Sequence, residues 1–219
     1  MNVLIVNTGS IPVKSDLINI FIKNQYNNYI VILNPINNGK SISRLPLEIN
    51  FSNNVVSLTV DFSNSTHLKP IIQELFSKFV AFSAIIYIEE IPKTESINFV
   101  KLSLESFKNF YLSEIQKKIS FFQFIIREIK KQILPCNIVV LLPEISQTKH
   151  FRDNITQSIL LSSFNMLTTA FSDEFIDFDI YCNAIVFNDE YLKTLTWLLF
   201  EQKPLYHGKL FQNKQIIEW

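Results

Sequence analysis

The stretch from Met1 to Asp16, MNVLIVNTGSIPVKSD, sets the strongest limit on what this chain can fold into. Val3 to Val6 is an unbroken apolar run between Asn2 and Asn7, the pattern of a strand covered on both faces. Asn7-Thr8-Gly9-Ser10 reads as a turn. A helix follows from Asp16 to Lys23, with Leu17, Ile18, Phe21 and Ile22 facing inward and Ser10 or Ser15 as its cap. A strand buried on both sides that feeds a helix belongs to a parallel sheet with crossover connections.

The remainder repeats that unit. Strands are predicted at Tyr29 to Leu33, Val55 to Val60, Ala84 to Ile88, Ile138 to Leu142 and Ile180 to Phe187, with a last one over Lys209 to Ile217. Helices are predicted at Leu68 to Phe79, Ser103 to Lys131, Phe151 to Phe175 and Glu190 to Phe200. The polar stretch Asn34 to Asn54 is the longest irregular segment, and no repeat or linker divides the chain. At 219 residues, the chain reads as a single domain over 1–219, with helices on both faces of a doubly wound parallel sheet of about seven strands.

Composition narrows the function classes. Twenty basic and twenty acidic residues cancel, which gives no electrostatic case for nucleic acid or an anionic membrane. The start lacks a basic region before its apolar run, and that run is too short to span a bilayer. Cys136 and Cys182 fall in predicted strands, where a buried free thiol is expected, and two cysteines make no disulfide framework. The expectation is a cytoplasmic protein.

Two helices carry more apolar surface than one stripe. Between Ile115 and Leu134 the set is Ile119, Phe121, Phe122, Phe124, Ile125, Ile126, Ile129 and Ile133. Between Ile155 and Phe175 it is Ile159, Leu160, Leu161, Phe164, Met166, Leu167 and Phe171. Such helices are either deeply buried in one large domain or packed on the sheet inwardly and on a partner outwardly. The second reading makes Phe121, Phe122, Phe124, Ile125, Leu160 and Phe164 interface residues, with Trp219 beside them at the end of the chain.

The order of these elements resembles the short-chain dehydrogenase/reductase family over the whole chain, from VLIVNTGS through DFSN, IVVLLPE and CNAIVFND to HGKLFQ. The resemblance implies a single Rossmann-like domain. It also implies dimers or tetramers built through the two long helices. Thr8-Gly9 resembles the start of the family's TGxxxGxG cofactor loop, Asp61-Phe62-Ser63 its D-[VL]-[ST] segment, Asn183-Ala184-Ile185 its N-A-I segment and Gly208-Lys209 its T-G-Q segment. Thr8, Gly9, Asp61 and Asn183 are thus vestiges of cofactor-binding positions.

The residues that carry the family's chemistry depart from the pattern. The next glycine positions of the loop hold Val13 and Ser15, beside Pro12, where a side chain would take the place of the diphosphate and proline removes a donor. The chain has only three glycines, so no other register restores the loop. The family's Tyr and Lys, four residues apart on the second long helix, correspond to Gln157 and Leu161, and neither group can exchange a proton. None of the seven tyrosines has a lysine four residues on. The serine at the end of the fifth strand is replaced by Glu144, with Ser146 misplaced nearby. Glu89-Glu90 stands where the family has Asn-Ala-Gly, so two carboxylates face the place of a cofactor phosphate. Phe187-Asn188 replaces the Pro-Gly after N-A-I, and with 31 residues left after Asn188 there is little room for a substrate lid.

Independent chemistry is sparse. His67, His150 and His207 lie far apart with no second ligand at metal spacing, so no metal is expected. Lys117-Lys118 and Lys130-Lys131 read as solvated helix ends. Glu89-Glu90 forms either an acidic pocket or a solvated loop. The leading expectation is a catalytically inactive structural or regulatory subunit without a cofactor, forming a homodimer or a heterodimer with an active homologue through the two long helices. One rival is an active NAD(P)-dependent oxidoreductase of ketoreductase type, with a rearranged site using Glu89, Glu90 or Glu144. Another is a module that binds a different small ligand at the strand ends.

Overall fold

The computed structural model describes residues 2–9, 13–24, 29–36, 54–89, 103–132, 134–143, 155–201 and 206–217, with backbone alone at 113, 155–158, 160 and 161. Eight strands form one sheet in the order β3-β2-β1-β4-β5-β6-β7-β8. They are β1 (Asn2–Asn7), β2 (Ile30–Pro35), β3 (Val55–Val60), β4 (Phe82–Ile88), β5 (Cys136–Pro143), β6 (Ile180–Phe187), β7 (Leu210–Gln212) and β8 (Gln215–Ile217). All pairings from β3 to β7 are parallel. The strand order reverses between β1 and β4, and crevices for ligands open at such a point, beyond the carboxyl ends of the strands.

The predicted last strand is in fact two. Asn213 and Lys214 adopt φ of 51° and 64° and fold the segment into a two-residue hairpin, so β8 runs antiparallel to β7. The sequence hides this turn because it has no glycine. The Lys214 amide is instead held by the Thr194 hydroxyl at 3.2 Å.

One face of the sheet carries α1 (Ser15–Lys23) and α6 (Tyr191–Thr196), the latter continued by a π-helical turn over Trp197–Glu201. Their apolar residues Leu17, Phe21, Tyr191 and Leu195 cover Val3, Ile5, Ile86 and Ile185. The opposite face carries three longer pieces. These are α2 (Ser65–Phe79), the long helix made of α3 (Leu104–Phe110), a π-helical turn (Tyr111–Gln116) and α4 (Lys117–Ile129), and α5 (Ile155–Phe175). Asn64 caps α2, its side chain accepting from the amides of Thr66 and His67.

The three-helix layer corrects the interface reading of four residues. Phe121, Phe122, Ile125 and Phe164 are buried within the chain's own core. Tyr87 of β4 anchors them, with ring centroids 5.7 Å from Phe121, 4.9 Å from Phe122 and 5.6 Å from Phe164. The breadth of the apolar set on α4 follows from its position in the middle, with the sheet beneath and a helix on either side. Phe124 is half-buried against the same core, and the outward positions Gln123 and Arg127 are polar. Among the described side chains of α5, the exposed ones are Ser162, Met166, Thr169, Ala170, Asp173 and Glu174, of which only Met166 is a large apolar residue. The side chain of Leu160, and Trp219, lie outside the described residues.

Candidate functional site

The turn after β1 is bonded inward. The Thr8 amide donates to the Ile88 carbonyl at 3.2 Å, and its hydroxyl donates to the same oxygen at 2.9 Å. The Gly9 amide donates to Asn7 Oδ1 at 3.1 Å. Among the described residues of the turn, these two amides are therefore already engaged within the protein. Val13 packs, half-buried, against the core beneath α1. Helix α1 begins with Lys14 at its N-cap, whose side chain accepts no hydrogen bond and lies 5.5 Å from the Phe187 ring.

Asp61 and Asn183 are likewise engaged in local bonds. Asp61 Oδ1 accepts from the Ser63 amide at 2.8 Å and from the Ser63 hydroxyl, and those bonds hold its carboxyl below the usual range. Asn183 is buried and staples β6 to the approach of β7: its amide donates to the Tyr206 carbonyl at 2.8 Å, and its oxygen accepts from the Lys209 amide at 3.1 Å. Gly208 sits between, with φ of 59°, and a β-carbon there would lie 3.2 Å from Thr169 Cα. Gln157 and Leu161 fall on α5, with side chains outside the described residues, as are Pro12, Glu90, Glu144, Ser146 and His150.

At the ends of β1 to β4 a crevice of about 340 Å³ opens, lined by Thr8, Asp61, Phe62, Tyr87, Glu114, Lys117 and Lys118, among others. A trough of about 470 Å³ between α1 and α6 is larger, but its lining is largely exposed, including Asp16, Lys23, Lys193 and Lys214. The strand-end crevice is the candidate site, because it combines buried charge with the point where the strand order reverses.

Beside that crevice lies the ion pair of Glu89 and Lys118. The Glu89 side chain is fully buried and that of Lys118 is 11% exposed. Lys118 Nζ donates to Glu89 Oε1, and Glu114 Oε2 lies 3.5 Å from the same ammonium. Among the described residues, Glu89 Oε2 has no hydrogen-bond partner. Burial pushes the Glu89 carboxyl up to about 7 against the pull of Lys118. Burial, with the Glu89 charge adding to it, holds the Tyr87 phenol well above its ordinary value, so it stays neutral. Lys118 also lies 5.1 Å from the Phe164 ring.

These contacts correct the reading of Lys117-Lys118 as a solvated helix end. Glu114 lies in the π-helical turn and the two lysines open α4 directly after it, which carries Lys118 beneath the crevice rather than into solvent. The signal in the sequence is a charged i,i+4 pair, Glu114 and Lys118, that leads directly into the apolar run from Ile119. Tyr87 gave no such signal within an apolar strand. Glu89, by contrast, was legible as a carboxylate at a strand end.

Among the described residues, no group of three metal-ligating side chains comes together, and no helix is long and apolar enough to cross a membrane. Both cysteines are free and buried, with burial pushing the Cys182 thiol up to about 12. The connection from β6 to α6 is residues 188–190 alone, as the short count after Asn188 anticipated.

No protein-family model and no curated protein matches the sequence. The fold, however, is shared with solved short-chain dehydrogenase/reductases. A short-chain dehydrogenase from Leptospira borgpetersenii, solved with bound NAD+, superposes with a TM-score of 0.73 at 12% identity, over 95% of this chain and 89% of that one. A 3-ketoacyl-(acyl-carrier-protein) reductase from Brucella melitensis complexed with NADH gives 0.72 at 11% identity, over 95% of each chain. A short-chain dehydrogenase/reductase family oxidoreductase from Brucella ovis, in complex with a partially ordered NAD, gives 0.65 at 13% identity, over 95% and 97%.

Proposed function

We propose that this chain is a catalytically silent protein on the short-chain dehydrogenase/reductase fold, serving in the cytoplasm as a structural or regulatory subunit. It assembles with itself or with an active homologue through the outer surface of the long-helix layer. The observation that carries the reading is that no tyrosine in the sequence is followed four residues later by a lysine, so the acid–base pair of that fold has no counterpart in any register. The inward bonding of the Thr8 and Gly9 amides supports the same reading for the cofactor. So does the short 188–190 connection, which leaves no segment there to close over a substrate. The partner surface is redrawn from the residues that are exposed: Tyr111 and Leu112 on the long helix and Met166 on α5.

Calorimetry with NADH and NADPH, with size in solution recorded on the same sample, tests this. No heat of binding, together with a dimer or a co-purifying homologue, is the expected result. Micromolar binding overturns it in favour of an NAD(P)-dependent oxidoreductase with a rearranged site. The NAD+ and NADH held by the neighbours favour that second reading, with Glu89, Glu90 or Glu144 as its acid.

A further inference from the structure

We propose that Glu89 is a built-in counter-anion: it occupies Lys118 and keeps the strand-end crevice shut to small anions until the carboxyl takes a proton. The crevice is then a proton-gated anion site. This rests on the reading that no dinucleotide fills the crevice at neutral pH.

The geometry supplies a cation, its blocker and an opening. Lys117 and Lys118 line the crevice with Thr8, and Lys118 is the more exposed member of a pair whose other member has no exposed side-chain surface. Glu89 is too deep to meet a ligand, yet it neutralises the ammonium that would. The remaining charged groups leave room for this exchange. Glu114 is 28% exposed and 3.5 Å from Lys118, so it remains a weaker, solvated partner. Asp61 is bonded to Ser63, with Lys117 and His67 nearby. Tyr87 from β4 and Thr8 from β1 complete the surroundings, and neither brings charge.

When Glu89 is neutral, the crevice gains one positive charge between apolar walls such as Phe62 and Phe121. Low-dielectric walls focus such a field on a bound anion. With the Glu89 carboxyl raised to about 7 by burial, the open form dominates in mild acid and falls to about one part in ten a unit above that value.

The test is a titration with sodium sulfate, a dianion throughout the range, followed by amide NMR at about pH 5.5 and about pH 8, with chloride at matched ionic strength as reference. Shifts confined to Thr8, Tyr87 and residues 117–118 are expected, with affinity about tenfold greater at the lower pH. Glu89→Gln should bind at both pH values alike, and Lys118→Met at neither. His67→Gln, which removes the nearby imidazole as a rival source of the effect, should leave the pH dependence unchanged. Equal affinity of the unmodified protein at both pH values overturns the inference without any variant, as does sulfate binding that survives Lys118→Met. Dinucleotide binding at neutral pH would instead count against the silent-subunit reading, so the two failures are distinguishable.

Discussion

The two faces of the sheet are built to different plans. The α1 and α6 face is closed by two short helices, with ring contacts at its margins between Phe21 and Phe200, Phe187 and Tyr191, and Trp197 and Phe211. The other face is closed by three longer pieces around Tyr87, with rings in contact from Phe121 through Phe122 and Phe171 to Phe175. The difference teaches that a helix flanked by two others is apolar over most of its circumference without any partner chain. It also shows where the crevice gets its charge. Glu114, Lys117 and Lys118 come from the three-helix side, at the π-helical turn, whereas Lys14 at the start of α1 stays at the surface.

The comparison breaks most visibly at Phe122. Phe122→Asp places a charge among packed rings, and a loss of about 4 kcal/mol or more is expected, read by urea unfolding with near-ultraviolet circular dichroism. A folded protein of altered size would mean that Phe122 does face a partner. Lys118→Met comes next. Leaving Glu89 buried without its cation is expected to cost about 3–5 kcal/mol in mild alkali, and less in acid, where Glu89 carries a proton. On the opposite face, Leu17→Ala should cost about 2–5 kcal/mol, and a value as large as that for Phe122→Asp would erase the asymmetry.

Smaller effects sharpen it. Between pH 4.5 and about 7, folded Glu89 binds more proton than the unfolded chain does, so its contribution to stability is present below 4.5 and lost as pH rises through 7. Stability measured across that window should decline less steeply in Glu89→Gln. Asn64→Ala, removing the cap of α2, should cost about 1 kcal/mol. Met166→Asp should stay within about 0.5 kcal/mol yet shift the elution volume if the helix layer meets a partner.

The scaffold was legible where one force dominated. β1 holds the unbroken apolar run Val3 to Val6 and β6 is apolar apart from Asn183, both covered on both faces, so hydropathy places them. The last strand was not, because its turn uses Asn213 and Lys214, whose left-handed backbone is fixed by the tertiary bond to Thr194 rather than by a local signal. The faces of α4 were misassigned for a related reason. Periodicity reports how much of a helix is apolar, but not whether a sheet, a sister helix or another subunit covers it. The candidate site was half readable: Glu89 declares itself at a strand end, while its partner sits in a Lys-Lys dipeptide that looks solvated until the π-helical turn rotates it inward.

The buried carboxyl also bears on the whole molecule as a colloid. The formal charge of zero at pH 7 counts every glutamate as ionised. With Glu89 half-protonated near that pH, the balance tips toward positive, and the point of zero charge is set partly by an internal group that solvent cannot screen. Self-association and precipitation near neutrality then depend on how tightly one ion pair in the interior holds its proton.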